Sequence, residues 1–161
     1  MRETAILAAG CFWGVEELLR HMPGVLATEV GYVGGETDNP VYTQVKTGNT
    51  GHAEAVKITF DPKVLSYEEL IQSFFKLHDP TTLNQQGNDI GTQYRSAIFY
   101  SSSEQKDIAE KVKAQVAQSG KWKKQIVTAI VPEKKFFSAE DYHQDYLQKN
   151  PDGYTCHYWR E

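Results

Sequence analysis

The feature that most constrains the fold is an apolar run that ends at a cysteine flanked by glycines. Residues 4–9 lead directly into Gly10-Cys11-Phe12-Trp13-Gly14. After this motif, apolar side chains recur at the spacing of one helical face, namely Val15, Leu18, Leu19 and Met22. The sequence therefore predicts a strand over residues 4–9 and a helix over residues 14–22, with Cys11 between them.

This position predicts a reactive thiol. Backbone N–H groups at a helix start lack intrahelical partners and carry partial positive charge. Such a field favours the thiolate, which is the attacking form of cysteine. Phe12 and Trp13 would place aromatic rings beside the sulfur. The alternative, in which Cys11 is a small buried hydrophobe among core aromatics, stays open at this point.

A second candidate for chemistry is Glu54, because it shares the parity of an apolar strand face. In residues 53–60, alternation places Val56, Ile58 and Phe60 on one side, and Glu54 falls on the same side. A partly desolvated carboxyl group has a raised pKa and favours the neutral acid. Glu54 is therefore a candidate general acid, although a solvated strand start or an ion pair with a lysine is equally compatible with the pattern.

The remaining periodicity predicts an α/β chain, more narrowly an α+β two-layer sandwich. The strands are predicted at residues 4–9, 25–33, 53–60, 94–100 and 126–131. The helices are predicted at residues 14–22, from the Ser66 capping box to His78, from Ser102 or Ser103 to a C-cap at Gly120, and from Ser138 to Lys149. This order resembles a ferredoxin-like split β-α-β mixed sheet with helices packed on it and long functional loops.

Two polar loops and the C-terminal tail are further candidate functional segments. Residues 36–51 contain Tyr42, and residues 80–93 contain Asp89; both loops are longer than plain connections. Asp89 could equally be a turn residue that bonds its own backbone. Residues 150–161 form the tail, which carries Cys156, and we expect it to be irregular and mobile.

Composition limits the classes of function. The chain has 161 residues with 40% hydrophobic and 24% charged residues, which predicts a single domain over residues 1–161. The net charge of −4 gives no field for nucleic acid or an anionic membrane. We expect a monomer located in the cytoplasm, since no signal peptide is recognisable, although a domain excised from a longer protein would look the same.

The cysteine count excludes a disulfide scaffold, because the only two cysteines are Cys11 and Cys156. No C-x-x-C motif is present, which argues against a thioredoxin-type dithiol. The five histidines and two cysteines show no zinc-ligand spacing, so no metal is expected.

Five segments, in order along the whole chain, resemble A-type peptide methionine sulfoxide reductases. They are Gly10-Cys11-Phe12-Trp13-Gly14, Gly51-His52-Ala53-Glu54, Asn88-Asp89-Ile90-Gly91-Thr92-Gln93-Tyr94-Arg95-Ser96, Ala139-Glu140-Asp141-Tyr142-His143-Gln144 and Asn150-Pro151.

The resemblance implies roles for single residues. Cys11 would be the nucleophile, Glu54 the acid, and Cys156 the recycling thiol. Tyr42 and Tyr94 would be further donors to the substrate oxygen, with Asp89 supporting the site. Phe12 and Trp13 would wall the pocket for the substrate methyl group. The chain departs from many relatives at its C-terminus, where Thr155 separates Tyr154 from Cys156 and no third cysteine follows.

The implied activity is reduction of methionine-S-sulfoxide, free or in oxidised proteins and peptides, as protein repair after oxidative damage. Cys11 would become a sulfenic acid, and Cys156 would convert it to a disulfide. Thioredoxin or another external dithiol would regenerate the enzyme, with no cofactor of its own. Two alternatives are a cysteine hydrolase with His52 or His143 as base, and a non-catalytic methionine-binding module.

Overall fold

The computed structural model describes residues 2–160, and its core is a mixed sheet of six strands in the order β7-β6-β1-β3-β2-β8. Only β6 and β7 pair in parallel. A separate short hairpin pairs β4 with β5. The strands are β1 (Glu3–Ala9), β2 (Val25–Val33), β3 (Ala53–Phe60), β4 (Gln85–Gln86), β5 (Asp89–Ile90), β6 (Ser96–Tyr100), β7 (Ala129–Pro132) and β8 (Phe137–Ser138).

The described residues also form five α-helices and two 3-10 turns, of which the last 3-10 turn and the last helix follow β8. The helices are α1 (Phe12–Arg20), α2 (Tyr42–Val45), α3 (Tyr67–Leu77), α4 (Ser103–Gln118) and α5 (Tyr146–Lys149), and the 3-10 turns are Thr92–Tyr94 and Asp141–His143. The four central strands with α1 and α3 follow the β-α-β-β-α-β order in the arrangement β6-β1-β3-β2. This confirms the predicted α/β fold with a ferredoxin-like mixed sheet. Between residues 2 and 160, no helix has the length and apolar character needed to cross a membrane.

The two faces of the sheet are unequal. The larger core lies on the helix side, where side chains of β1, β2 and β3 pack with those of α1, α3 and α4. Val56, Ile58 and Phe60 all belong to this core. The opposite face carries a smaller cluster rich in alanine, over which Phe136 packs. The parity of β3 therefore directs Glu54 toward the helices.

Local sequence signals set the start of α3 and the end of α4 as predicted. Ser66 accepts a hydrogen bond from the Glu69 N–H at 3.1 Å, and the Glu69 carboxylate accepts one from the Ser66 N–H at 3.0 Å. This reciprocal pair is the predicted capping box. Gly120 has a φ of 78° just beyond α4, as expected of a glycine that ends a helix.

Two predicted strands begin later than expected. Residues 92–94 form a 3-10 turn, so Tyr94 precedes β6 instead of lying in it. Residues 126–128 are not part of β7; the Val127 N–H donates to the carbonyl of Pro80 outside the sheet. Apolar alternation alone does not reveal that these two segments lie outside the sheet.

The long helix predicted over residues 138–149 is wrong. Ser138 pairs with Gly31 in edge strand β8, and α5 begins only at Tyr146. The side chain of Gln144 bonds both the N–H and the carbonyl of Val30, each at 2.9 Å, and Asp145 has a φ of 54°. The hydrogen bonds from the Gln144 side chain to the main chain of Val30 thus take the place of regular helical hydrogen bonds here.

Candidate active site

Cys11 lies at the junction that the sequence predicted. It is the N-cap residue of α1, two residues after the end of β1, and its thiol is partly exposed. Gly10 before it has a φ of 97°, a conformation that glycine adopts at little cost. The sulfur therefore sits at the start of a helix, next to backbone N–H groups that have no partner within the helix.

The predicted thiolate is nevertheless wrong for the resting protein. Burial raises the pKa of the Cys11 thiol, and the charge of Glu54 raises it further. A hydrogen bond from the Trp13 N–H lowers this pKa, which is the effect expected of a helix start, but desolvation is the larger effect. Cys11 therefore rests as a neutral thiol.

Glu54 faces the same helix start from β3. Its side chain is 2% exposed, and its Oε1 accepts a hydrogen bond from the Phe12 N–H at 3.2 Å. Burial raises the pKa of this carboxyl group to about 8, while the Phe12 bond opposes the rise. The structure thus decides between the two possibilities left open by the sequence: Glu54 is a buried carboxylic acid that is neutral near pH 7.

Two tyrosines lie within the electrostatic influence of Glu54. Burial raises the pKa of both Tyr42 and Tyr94, and the charge of Glu54 raises each pKa further. Cys11, once ionised, would raise both pKa values as well. Tyr42 begins α2, and Tyr94 ends the 3-10 turn before β6. Both phenols therefore stay neutral near pH 7 and lie within electrostatic range of Cys11 and Glu54.

Asp89 lies in β5, at the side of the site that faces the tail. Its Oδ2 accepts a hydrogen bond from the Tyr154 hydroxyl at 3.2 Å and lies 3.8 Å from the Cys156 sulfur. Burial raises the pKa of Asp89. Its charge in turn raises the pKa of Glu54 and of Cys11. The charge of Asp89 thus raises the pKa of both cysteines.

The two aromatic residues after Cys11 differ in exposure. Phe12 is 1% exposed and packs against Tyr32, with ring centroids 5.7 Å apart. Trp13 is partly exposed, stacks on Tyr146 with centroids 3.7 Å apart, and donates its indole N–H to His143 at 3.0 Å. Phe12 therefore supports the site from inside, whereas Trp13 offers a ring face to solvent.

Residues 139–144 support the site in a way that sequence reasoning missed. Glu140 accepts hydrogen bonds from the Tyr32 hydroxyl and the Tyr42 N–H, each at 2.9 Å, which fixes the start of α2. His143 holds the Trp13 indole and lies 4.7 Å from the Tyr42 ring, between centroids. The motif was visible in the sequence as a match to the family, but helical periodicity gave no reason to assign these contacts.

Cys156 is not bonded to Cys11, and both cysteines are free. The charge of Cys156 is one of the influences that raise the pKa of Cys11. The tail is irregular, as predicted, and within it the His157 ring is 6% exposed and bonds the carbonyl of Ala9 at 2.6 Å. Residues 154–160 are irregular yet anchored.

Of the two histidines proposed as bases for a cysteine hydrolase, His52 bonds other groups through both ring nitrogens, whereas the buried Nε2 of His143 has no hydrogen-bond partner among the described residues. His52 accepts the Gly35 N–H at Nδ1 and donates from Nε2 to the carbonyl of Thr37. His143 accepts the Trp13 indole N–H at Nδ1. Among the residues that the structure describes, neither histidine has a recorded hydrogen bond to Cys11, and no group of three or more His, Cys, Asp or Glu side chains is placed to hold a metal ion.

These features define the class as a thiol enzyme: a cysteine at a helix start, opposite a neutral carboxylic acid, on a ferredoxin-like sheet. The chain belongs to the peptide methionine sulfoxide reductase family, whose model matches residues 3–161. Peptide methionine sulfoxide reductase MsrA 1 of Mesorhizobium japonicum is 53% identical over 158 residues, which cover 98% of this chain and 90% of the relative.

Solved structures support the same family. Mxr1 of Saccharomyces cerevisiae in its reduced form has a TM-score of 0.94 and 42% identity, over 99% of this chain and 93% of that one. Mxr1 in complex with Trx2 has a TM-score of 0.68 and 28% identity, over 99% and 91% of the two chains. This chain is an oxidoreductase of the methionine sulfoxide reductase type.

Proposed function

We propose that this chain reduces methionine-S-sulfoxide, in oxidised proteins and peptides or as the free amino acid, to methionine, with Cys11 as nucleophile and Glu54 as acid. The observation that carries the proposal is the buried Glu54 carboxyl, which bonds the Phe12 N–H directly beside Cys11. A sulfoxide sulfur is a reluctant electrophile because its oxygen must leave with negative charge. A neutral acid aimed at that oxygen removes this difficulty.

In the first step, the Cys11 sulfur attacks the sulfoxide sulfur while Glu54 protonates the oxygen. The thiol proton of Cys11 restores the acid form of Glu54. The hydroxyl group then moves from the substrate sulfur to the Cys11 sulfur as the new S–S bond breaks, which leaves Cys11 as a sulfenic acid and releases methionine as the thioether. Two electrons have passed from the cysteine sulfur to the sulfoxide sulfur, so no metal or organic cofactor is needed. The raised pKa of Cys11 fits this order, since the thiol gives up its proton only as the bond to sulfur forms.

The neighbouring residues complete this step in the proposal. Tyr42 and Tyr94 donate hydrogen bonds to the departing oxygen, a role that suits phenols kept neutral by burial. Trp13 forms the accessible apolar wall for the substrate methyl group, the buried Phe12 supports that wall from inside, and Asp89 supports the acid. Because a sulfoxide sulfur is a stereocentre, one arrangement of wall and donors accepts one epimer, which we propose to be the S form.

In the second step, the Cys156 thiol condenses with the sulfenic acid on Cys11. The S–O bond breaks, a disulfide forms, and the thiol proton leaves with the hydroxyl group as water. Thioredoxin then reduces the disulfide, a step supported by the solved complex of the related Mxr1 with the thioredoxin Trx2. The enzyme thereby acts in protein repair under oxidative stress.

We further propose that residues 1–161 form one catalytic domain that works as a monomer in the cytoplasm. One sheet includes strands from Glu3 to Ser138, which supports the single domain. Two free thiols suit a reducing compartment. The net charge of −4 gives no reason to expect nucleic acid or membrane as a partner.

One experiment tests the activity and the first step together. The reduced protein is mixed with excess methionine-S-sulfoxide and no reductant, and both methionine and intact protein mass are measured. We expect about one methionine per protein and the loss of two hydrogen atoms from the protein. In Cys156→Ser, we expect the same methionine and a sulfenic acid on Cys11 that dimedone traps. A protein that forms no methionine, or whose Cys11 stays unoxidised, would contradict the proposal; the hydrolase and binding-module alternatives predict an unoxidised thiol.

A further inference from the structure

The irregular tail is fixed to the active-site loop by one buried histidine. His157 Nε2 lies 2.6 Å from the carbonyl oxygen of Ala9, the last residue of β1. A carbonyl only accepts hydrogen bonds, so Nε2 carries the proton and donates it. The other described anchors of the tail are exposed or partly buried, such as the Tyr154 hydroxyl on Asp89 and Lys121 on the carbonyl of Arg160.

The imidazole occupies a socket made by the two glycines that flank Cys11. A Cβ atom on Gly10 would lie 3.3 Å from His157 Nε2. A Cβ atom on Gly14 would collide with His157 Nδ1 and with the Thr155 hydroxyl. The glycines of the Gly10–Gly14 motif thus leave space for a side chain 143 residues away, counted from Gly14 to His157.

The position of the proton on the ring makes Nδ1, the nitrogen that faces the second cysteine, a hydrogen-bond acceptor. With the proton on Nε2, the neutral ring leaves a lone pair on Nδ1, which lies 3.8 Å from the Cys156 sulfur. Burial lowers the pKa of His157 to about 4, so the ring stays neutral near pH 7. The same side chain therefore bonds the end of β1 and contacts the sulfur of Cys156.

We propose that His157 is the positioning residue of the second step: its hydrogen bond to Ala9, made in the Gly10 and Gly14 socket, holds the Cys156 thiol beside Cys11. This inference rests on the proposed function. The step it serves is balanced without an outside oxidant, because the sulfenic acid on Cys11 and the thiol of Cys156 give a disulfide and water. Without the anchor, residues 154–160 would sample many conformations, and the thiol would lose its effective concentration near Cys11.

The test measures the two steps separately in the full-length reduced protein. Rapid mixing with methionine-S-sulfoxide gives the rate of methionine formation for the first step. Loss of the dimedone-reactive sulfenic acid, together with formation of the disulfide by intact mass, gives the rate of the second. We expect His157→Ala to slow the second step at least tenfold, far more than the first, so that sulfenic acid accumulates.

Two further variants separate the hydrogen bond from the shape of the ring. Gln places an amide N–H where Nε2 stands, so we expect His157→Gln to recover most of the rate of disulfide formation. Phe keeps a flat ring but has no donor, so His157→Phe should resemble His157→Ala. Tyr158→Ala, at a neighbouring position that is 59% exposed, is the matched control and should change neither rate.

Each outcome decides the inference. If His157→Ala or His157→Phe forms the disulfide at the wild-type rate, the anchor is not needed and the proposal is overturned. It is also overturned if His157→Gln is as slow as His157→Ala, or if both steps slow equally. Failure of the wild-type protein to form methionine would instead contradict the proposed function, so the two failures are distinguishable.

Discussion

The two cysteines are held by different kinds of structure. Cys11 stands between β1 and α1, where regular main-chain hydrogen bonds on both sides fix its position. Cys156 stands in an irregular tail, whose buried fixed point is the bond from His157 to Ala9. The first sulfur depends on backbone geometry, and the second depends on one side chain.

This difference matches the chemistry that each sulfur is proposed to perform. The first step needs a fixed distance between a sulfur and a neutral acid, and both Cys11 and Glu54 sit on regular elements. The second step is followed by reduction from outside, so Cys156 must also be reachable by a partner. A tail that is held by a few separate hydrogen bonds, and not by a regular ladder, can keep the thiol in place and still release it.

The largest expected effect is on the nucleophile itself. Cys11→Ser should form no methionine above the uncatalysed background. The serine hydroxyl cannot accept the sulfoxide oxygen, whereas the cysteine sulfur accepts it and becomes a sulfenic acid. Methionine formation measured over many hours checks this, and an unchanged melting temperature shows that the fold is intact. Measurable turnover by a folded Cys11→Ser protein would remove Cys11 from its role.

The next effect should separate the two cysteines. Cys156→Ser should complete one turnover at the wild-type rate and then stop when thioredoxin is the reductant. A small thiol should restore cycling, because it can attack the exposed sulfenic acid directly. Chromatographic measurement of methionine under both conditions provides the check. Steady thioredoxin-driven turnover by this variant would show that Cys156 is not the recycling thiol.

A smaller but still large effect is expected from the acid. Glu54→Gln keeps the size of the side chain but cannot give up a proton, so the rate of the first step should fall about 10²–10⁴-fold. In the wild-type protein, this rate should fall as pH rises through about 8, because Glu54 then loses its proton. The variant should lack that fall. Equal rates for the two proteins at pH 7 would contradict the acid role.

These regions also differ in how far the sequence could predict them. Alternation along β3 placed Glu54 on the apolar side, and the Ser66 capping box gave the start of α3. Such signals are local, so one sequence is enough to detect them. The direction of the Cys11 pKa was missed because burial depends on the whole fold, and burial outweighs the helix start.

The helix predicted over residues 138–149 failed for a related reason. The spacing of Tyr142, Tyr146 and Leu147 is helical, but the side chain of Gln144 bonds Val30, more than a hundred residues away. The anchoring of the tail by His157 is equally remote, since its partner is Ala9. Local patterns carry no information about such pairs.

A modest effect is expected from a single phenol. Tyr42→Phe removes one donor while Tyr94 and Glu54 remain, so the first step should slow about five- to tenfold, the worth of one hydrogen bond of about 1–1.5 kcal/mol. Single-turnover rates measure this, with the exposed Tyr158→Phe as a control that should be unchanged. A rate for Tyr42→Phe equal to wild type would exclude the hydroxyl as a donor.

The smallest expected effect is on stability. The folded protein holds the Glu54 proton more tightly than the unfolded chain, since burial raises its pKa from 4.5 to about 8. The stability that this proton gives is complete below pH 4.5 and is lost as pH rises through 8. Glu54→Gln should therefore raise Tm relative to wild type at pH 9, and change it much less at pH 5. Differential scanning calorimetry at both pH values tests the sign; a lower Tm for the variant at pH 9 would contradict it.

The most direct test of the central claim is the titration of the Glu54 carboxyl in the reduced protein. Carbon-13 NMR of glutamate labelled at the carboxyl carbon, assigned with Glu54→Gln, follows this single group across pH. The account predicts a midpoint near pH 8, so that the group facing Cys11 is a neutral acid at pH 7. A midpoint near the ordinary value of 4.5 would mean that Glu54 is already ionised there, and the proposed proton donor would not exist.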